Sequence, residues 1–522
     1  VKRAALLGAA VASCAAAIGT FVPAGPAPAA ADVAVTLPAT IPAVQQWRPA
    51  TGTFTPADDV RIVVPAEDAA LLGDTADLLA QDLAASTDLA PTVAIGTTPR
   101  DGDILLDRIP GFGLRPEGYR LQVGDVLAVK ARDDTGAFYG TRSVIQMLRQ
   151  QPALPRGVVV DWPRYPDRGL LIDAGRRYFS PAFYRTQIER MSYLKLNLLH
   201  LHISDDAGLG IESELHPEAV ADQFLTQDEV RDLVAFAHRH HVRVIPEIDM
   251  PGHMLGILED HPELQLRDFQ GTPSPERLDI TNPDARAFAK ELLTELLPLF
   301  PDADWHLGGD EYLMLAEYPL YPSLRRYAAE RYGTGVVGQD ALIDFMNEMA
   351  AFVQAHGKVA RMWNDGAGRA HKAVLDPDVV VEWWTDFSPL SDPLPPTPAT
   401  LVKAGHQTLN NGWWPTYYGA PGLPAPSFRE AYGKWQVHHF YGTLYANSTV
   451  QVPPKRLPAG SPANRGSQLS IWSDGPAQTD DELLAGSLPG LRLIAQKTWE
   501  SPAQPTYDAF EATAAAIGPT AD

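Results

Sequence analysis

The pair Asp310-Glu311 closes the segment His306-Leu307-Gly308-Gly309-Asp310-Glu311 and is the sharpest chemical signal in the chain. Two consecutive acids leaving a buried strand are costly unless one keeps its proton or both are well hydrogen-bonded. Like charges this close push one pKa up, which suits a general acid. The plain alternative is that the pair caps the next helix or makes salt bridges. The two glycines ahead of it let backbone approach a ligand closely. Adjacency restricts the chemistry further. An acid and a carboxylate nucleophile must flank a sugar ring from opposite sides, about 5–5.5 Å apart in a retaining glycosidase. Sequence neighbours are poorly placed for that. With Glu311 as the acid, Asp310 is not the nucleophile. A 2-acetamido group on the sugar would then supply the attacking oxygen, with Asp310 orienting and stabilising it.

Such groups need a scaffold, and the hydropathy pattern supplies one. Apolar runs at 168–172, 197–203, 242–248, 305–309, 358–363, 379–383, 407–412 and 468–472 read as eight strands. Helical patterns fill most gaps, among them 181–194, 226–240, 284–297 and 341–356, with Pro181 and Asp284 suited to first turns. The reading is α/β: a (β/α)8 TIM barrel preceded by a small α+β domain; an open parallel sheet is the alternative. Domains are expected at 32–160 (accessory, with helices at 69–85 and 136–149) and 161–505 (catalytic barrel), with 506–522 as a C-terminal tail. The Pro-rich stretches 388–399 and 452–466 are expected to be loops. Catalytic groups in a barrel sit at the C-terminal strand ends. Those ends carry Asp173 and Arg176, Asp205-Asp206, Glu247, Asp249 and His253, Asp310-Glu311, Trp363-Asn364-Asp365, Trp383-Trp384, then Trp413, Trp414, Tyr417 and Tyr418, and finally Trp472 and Asp474. Carboxylates among tryptophans suit a pyranose, whose C–H faces stack on rings while its hydroxyls donate to acids.

Composition limits the partners. The chain has 522 residues, 45% apolar and 20% charged, and a formal net charge of −22. That balance repels phosphate backbones and leaves nucleic acid an unsuitable partner, while a neutral sugar is compatible with it. Gly (41) and Pro (47) are frequent, which indicates many loops. The single cysteine, Cys14, excludes disulfides within the chain and Cys-based zinc sites. Residues 1–31 read as a secretory signal: Lys2 and Arg3, an apolar run over 4–22, then small residues around 27–31. Secretion is the expected localisation, with no membrane span after signal removal. A membrane anchor, or lipidation at Cys14 after Val11-Ala12-Ser13, are the alternatives.

Four motifs share one resemblance. Gly169-Leu-Leu-Ile-Asp-Ala-Gly-Arg176, His200-Leu-His-Ile-Ser-Asp205-Asp206, Pro246-Glu-Ile-Asp-Met-Pro-Gly-His253 and Gly-Gly-Asp310-Glu311 resemble the family-20 glycoside hydrolases, the β-N-acetylhexosaminidases. Order and spacing match over roughly 130–475, and Phe138-Tyr139-Gly140-Thr141 resembles that family's accessory domain. The resemblance implies secreted, retaining exo-hydrolysis of terminal β-linked GlcNAc or GalNAc by substrate-assisted catalysis. Its partner would be an N-acetylhexosamine-containing oligosaccharide or glycoconjugate, with no cofactor and no metal. Glu311 would be the acid/base and Asp310 the acetamido-orienting acid. Tyr417 would bond the acetamido carbonyl, a role its neighbour Tyr418 could also fill. Arg176 would hold the outer hydroxyls, and Asp205 and His253 would support the acid pair. Trp363, Trp384 and Trp472 would wall the acetamido pocket, and Asp474 would accept from a sugar hydroxyl. Three departures reshape this expectation. Ala207-Gly208-Leu209 replaces the usual Gln-Gly-Trp, Tyr418-Gly419 the usual Leu-Asp or Leu-Asn, and Asp474 the usual Glu. The shorter Asp is more like members that release the disaccharide lacto-N-biose. Two further readings stay open: a metal-dependent barrel hydrolase built on His200-x-His202, and an inactive carbohydrate-binding protein whose outer rings include Trp413, Trp414 and Trp435.

Overall fold

The computed structural model describes residues 36–521 apart from 112, 387–394, 421–424 and 443–451. The expected signal, Cys14 and most of the first Pro-rich stretch lie outside the described residues.

The N-terminal part is a seven-stranded sheet in the order β1-β7-β5-β6-β4-β2-β3. Its strands are β1 (Gln46–Phe54), β2 (Arg61–Val64), β3 (Thr92–Ile95), β4 (Ile104–Arg108), β5 (Tyr119–Val123), β6 (Leu127–Ala131) and β7 (Leu154–Asp161). Helices α1 (Ala69–Ser86) and α2 (Asp134–Gln150) pack on each other and on the sheet. Three of these strands escape hydropathy reading. β1 is almost wholly exposed and carries Pro49 and Gly52, as an edge strand can. β3 has four residues, and β7 has Pro155 and Gly157 breaking its alternation. β7 also runs to Asp161, one residue past the expected boundary at 160.

Helix α2 shows how tightly this sheet joins the barrel. Phe138, Val144, Ile145 and Leu148 form the expected apolar stripe, yet every residue from Gly136 to Leu148 is buried. The far side of the helix meets the barrel: Gln146 Nε2 donates to the Tyr193 carbonyl at 3.0 Å, and Arg168 donates to Tyr139 Oη at 3.0 Å. Below it, the buried Lys195 ammonium donates to Tyr119 Oη, Ser143 Oγ and Asp161 Oδ2 at 2.8, 2.7 and 3.2 Å. A charge removed from water needs this many partners to be tolerated.

Eight parallel strands then close on themselves: β8 (Asp167–Asp173), β9 (Leu198–His202), β10 (Arg243–Glu247), β11 (Asp304–His306), β12 (Val359–Trp363), β13 (Val380–Trp383), β14 (Thr408–Asn410) and β15 (Asn464–Ile471). β15 pairs with β8 from Gly466↔Asp167 to Ile471↔Ile172, which completes the barrel. The helices start where local chemistry allows. Ser180 Oγ accepts from the Phe183 N–H ahead of α3 (Pro181–Tyr193), and Thr226 with Glu229 forms a capping box on α4 (Gln227–Arg239). Asn282 caps α5 (Pro283–Leu296), α6 spans Gln339–Ala355, and Thr479 with Glu482 caps α7 (Asp480–Trp499). Residues 506–522, expected as a tail, instead contain helix α8 (Tyr507–Ile517), with Phe510, Ala514 and Ile517 buried. Tyr193 Oη donates to the Ile517 carbonyl at 2.7 Å, so α8 is docked rather than loose. Within the second Pro-rich stretch, Lys455–Arg456 pairs with His439–Phe440.

The barrel floor is ionic. Buried Arg361 donates to Asp304, Asp167 and Glu382 at 2.8, 2.8 and 3.0 Å. Arg243 and Arg465 also donate to Asp167, whose carboxyl is held well below its ordinary range: burial opposes ionisation but the three guanidinium groups outweigh it. Above the floor, Gln468 Nε2 donates to Glu382 Oε2 at 3.1 Å and to His200 Nδ1 at 3.2 Å.

Candidate active site

The upper end of the barrel opens into a cavity of about 190 Å³. Nine of the ten site residues expected from the sequence line it: Arg176, Asp205, His253, Asp310, Glu311, Trp384, Tyr417, Trp472 and Asp474. Trp363 stands one layer behind. It is buried, its Nε1 donates to Glu247 Oε1 at 2.7 Å, and its ring lies 6.3 Å from that of Trp472. His202, Asp249, Trp413 and Ala420 complete the lining.

The acid pair sits on a strained turn. Gly308 and Gly309 have φ of +68° and +98°, and a Cβ at Gly308 would fall 1.7 Å from Asp249 Oδ1. Only glycine fits there. Glu311 and His253 have φ of 48° and 52°, a region that side-chain-bearing residues occupy at a cost and often at functional sites. His253 Nε2 lies 3.4 Å from Glu311 Oε2 and 3.7 Å from Asp310 Oδ2, so both acids share one wall. The Glu311 N–H donates to Asp365 Oδ2 at 2.8 Å.

A relay of buried groups holds this wall. Glu247, among His200, His202, His306 and Trp363, accepts from His202 Nδ1 at 2.7 Å. His202 Nε2 donates to Asp205 Oδ2 at 2.9 Å, and His253 Nδ1 lies 3.3 Å from Asp205 Oδ1. Arg176 bonds Asp173 at 3.1 Å and Asp205 at 2.6 Å, and lies over the Trp472 ring at 5.7 Å. Burial disfavours charge on His202, but Glu247 and Asp205 raise its pKa well above the ordinary value. His253 is raised likewise, against burial, by Asp205 and Glu311. Asp205 is held low despite burial, by hydrogen bonds from the same two imidazoles.

The acids facing the cavity go the other way. Burial, then the Asp249 charge, raises Asp310 well above its ordinary value. Burial, aided by Glu247, pushes Asp249 up to about 7. Burial and Asp310 push Asp365 up to about 8. Asp474 is raised by burial, against the pull of Arg176.

These shifts set a pH dependence. Carboxyls with raised pKa values keep protons when folded that the unfolded chain releases near pH 4, so their stability contribution falls as pH rises to about 8. His202 and His253 add to this slope, because imidazolium stability is complete below the unfolded value of 6.5 and is lost as pH rises through the folded value. Asp205 and Glu247, held low, are ionised in both states above about pH 5 and add no slope there. The melting temperature should therefore fall between about pH 7 and 8, above the range where His200, His240, His241, His438 and His439, held neutral by burial, pull the other way, and Asp365→Asn should flatten the curve there. Calorimetry across that range checks it; a melting temperature that climbs with pH would contradict it.

Parallel rings line another part of the cavity. Trp384 lies 5.7 Å from Trp413 and 6.3 Å from Tyr417, at 15° and 8°, and Trp384 Nε1 donates to Asp365 Oδ1 at 2.8 Å. Trp472 closes the angle at 5.4 Å from Tyr417. Trp413 Nε1, Trp472 Nε1 and Asp310 Oδ1 are buried without a protein hydrogen-bond partner, which leaves two donors and an acceptor for a ligand. Trp414 and Trp435 are packing residues, Trp414 edge-on to Tyr441 and Trp435 fully buried.

The sequence names the contact residues and two members of the relay, Asp205 and His253, but gives Glu247 no role. Glu247, Asp249 and Asp365 stood in the strand-end series without a role, and His202 was read as a hydrogen-bonded neighbour or a metal ligand. Both of its ring nitrogens engage carboxylates, which makes it a link between Glu247 and Asp205. The available signal was position: inward-pointing acids at the last residues of buried strands.

A closed parallel barrel whose strand ends deliver acids and tryptophans to one hole defines a barrel glycoside hydrolase. Two family descriptions match in sequence: "Glycosyl hydrolase family 20, catalytic domain" over residues 165–501 and "Glycosyl hydrolase family 20, domain 2" over 37–162. The chain belongs to glycosyl hydrolase family 20. It is 34% identical over 477 residues to lacto-N-biosidase of Bifidobacterium bifidum, covering 90% of this chain and 40% of that protein. It is 30% identical over 512 residues to a beta-hexosaminidase of Porphyromonas gingivalis, covering 90% and 61%. The chain thus spans well under two thirds of these relatives' lengths. In fold it is similar to the GH20 beta-N-acetylhexosaminidase of Streptomyces coelicolor A3(2), with a TM-score of 0.71, 24% identity and coverage of 92% and 94%. A mutant Streptomyces plicatus beta-hexosaminidase in complex with GlcNAc gives 0.71 at 22% identity, again covering 92% and 94%. Among the described residues, no helix is long and apolar enough to cross a membrane.

Proposed function

We propose that the chain is a secreted, retaining β-N-acetylhexosaminidase that uses the substrate's own 2-acetamido group as nucleophile. Glu311 protonates the departing oxygen while the amide oxygen closes on C1. Asp310 accepts the amide N–H and offsets the positive charge that develops. Glu311 then takes a proton from the water that reopens the ring, and two inversions give retention. Tyr417 donates to the amide carbonyl; Trp384 and Trp472 hold the acetamido group, with Trp363 backing Trp472. The observation that carries this reading is the shared wall. Asp310 and Glu311 both lie near His253 Nε2, so they are poorly placed to straddle a sugar ring, and Trp384, Trp413, Tyr417 and Trp472 line the same cavity. An aryl N-acetyl-β-glucosaminide should be hydrolysed, and the matching glucoside, which lacks the amide, should not. Hydrolysis with inversion would end the reading. Export is supported by Lys2, Arg3 and the apolar run after them.

Arg176 offers its fork to Asp173 and Asp205 and presents the remaining donors to outer hydroxyls. Arg176→Lys keeps the charge but not the planar geometry. Its kcat/KM should drop about 10- to 100-fold, as expected for charge-assisted bonds worth about 1.5–3 kcal/mol. Most of the change should lie in KM, measured on an aryl substrate.

A second reading, release of the disaccharide lacto-N-biose, has its own support. Gly419 has φ of +83°, and a Cβ there would meet the Trp472 carbonyl at 2.6 Å, so no side chain reaches the cavity and the small Ala420 lines it instead. Leu209 is buried in the core rather than facing the cavity, and Asp474 reaches less far than Glu. The 34% identical relative carries that name. Product size from a panel of N-acetylated oligosaccharides separates the two readings.

A further inference from the structure

Away from the cavity, two histidines converge on one carboxylate oxygen. His216 Nδ1 lies 3.2 Å from Glu218 Oε1, and His261 Nε2 lies 2.9 Å from the same atom. Tetrahedral zinc, with bonds of about 2.0–2.1 Å, sets its ligands roughly 3.3 Å apart. The other nitrogen of each imidazole is also backed by an acid. His216 Nε2 lies 3.2 Å from Glu291 Oε2, and His261 Nδ1 lies 3.4 Å from Glu263 Oε1. An outer carboxylate on the far nitrogen fixes the tautomer and directs the near lone pair inward, the usual arrangement behind metal-binding histidines. Phe288 packs against both rings, at 4.6 and 4.8 Å, and holds them at 80° to each other. Three carboxylates around two imidazoles leave an excess of negative charge for a cation to offset.

We propose that His216, Glu218 and His261 bind a divalent cation of the zinc class, which joins the loop after β9 to the loop after β10. Imidazole with carboxylate suits zinc and its neighbours rather than calcium or magnesium. The fourth position is open to water or to the second Glu218 oxygen. The first loop carries Asp205 and the second carries His253, so the clamp ties together the segments on which Arg176 and the acid pair lean. The site stabilises the barrel mouth and takes no part in bond breaking.

The test uses the full chain after treatment with a chelator, titrated with zinc chloride in a calorimeter. One equivalent should bind and raise the melting temperature by several degrees. His261→Ala and Glu218→Gln should each abolish both effects, and Glu218→Gln, which keeps the side-chain shape, covers the case where the alanine variant folds poorly. Glu291→Gln, which only backs His216, should weaken binding about 10-fold or more. Hydrolysis of an aryl N-acetylglucosaminide at 25 °C should be unchanged by zinc or its removal. The proposal is overturned if no zinc binds, if both variants bind like the parent, or if removing metal abolishes turnover, which would place the ion in the cavity.

Discussion

Glu311→Gln should lower kcat/KM for an oligosaccharide by about 10²–10⁴-fold, the usual contribution of a positioned general acid. The loss should depend on the leaving group. A sugar alkoxide cannot depart without a proton, whereas an acidic phenol can. With a strongly activated aryl glycoside the same variant should retain most of its rate of glycosidic cleavage, and the later step, in which Glu311 takes a proton from water, should become limiting. A burst of phenol followed by slow turnover would record that change. Equal losses on both substrates would remove Glu311 from the acid's role. The side chain is well placed for it. It is the more exposed of the pair, at 37% against 16% for Asp310, and Asp365 fixes its backbone.

Asp310→Asn should behave differently, with a loss of about 10²–10³-fold that no leaving group relieves. In the proposed mechanism the positive charge on the cyclised amide develops whatever departs, and a neutral amide at 310 would not offset it. The variant should also bind a thiazoline mimic of that cyclised species less tightly by a similar factor, as expected when transition-state and ground-state interactions differ. The sign of the pH effect follows from the raised Asp310 pKa. In the proposed mechanism Asp310 acts as the anion, and burial with the Asp249 charge raises its pKa, so kcat/KM should fall with decreasing pH at higher pH values than an ordinary carboxylate gives. In Asp310→Asn that acid limb should vanish. If the limb persists, another group sets it, and the assignment of Asp310 fails.

Much of this arrangement was legible in the chain because a barrel puts chemistry at fixed places. Once eight apolar runs were set in order, residues at the ends of seven of them reached one cavity, and nine of the ten expected contacts line it. Trp363 fell behind the others because it is the last residue of β12 itself, where a side chain points into the barrel core. Of the relay, Asp205 and His253 were legible, while Glu247 and His202 were harder to see, since a buried charge looks like a site residue until its partners are known. The accessory sheet was legible only in part: β1 and β7 contain Pro or Gly where alternation would have announced a strand. Helix α8 was missed because its buried stripe of Phe510, Ala514 and Ile517 is short and carries few large apolar side chains.

The polar column inside the barrel has one more consequence. From Asp167 the contacts run through Arg361, Glu382, Gln468, His200, Glu247, His202, Asp205 and His253 to Glu311 without an aliphatic break. In most barrels the corresponding layers are branched hydrocarbon and insulate the two mouths from each other. Here Gln468 is the only uncharged amide link. Replacing it by a longer, shorter or ionisable side chain would change the field along the whole row. Gln468 lies outside the cavity lining and touches His200 and Glu382, so an engineer can alter the charge row beneath the cavity without changing a residue that lines it.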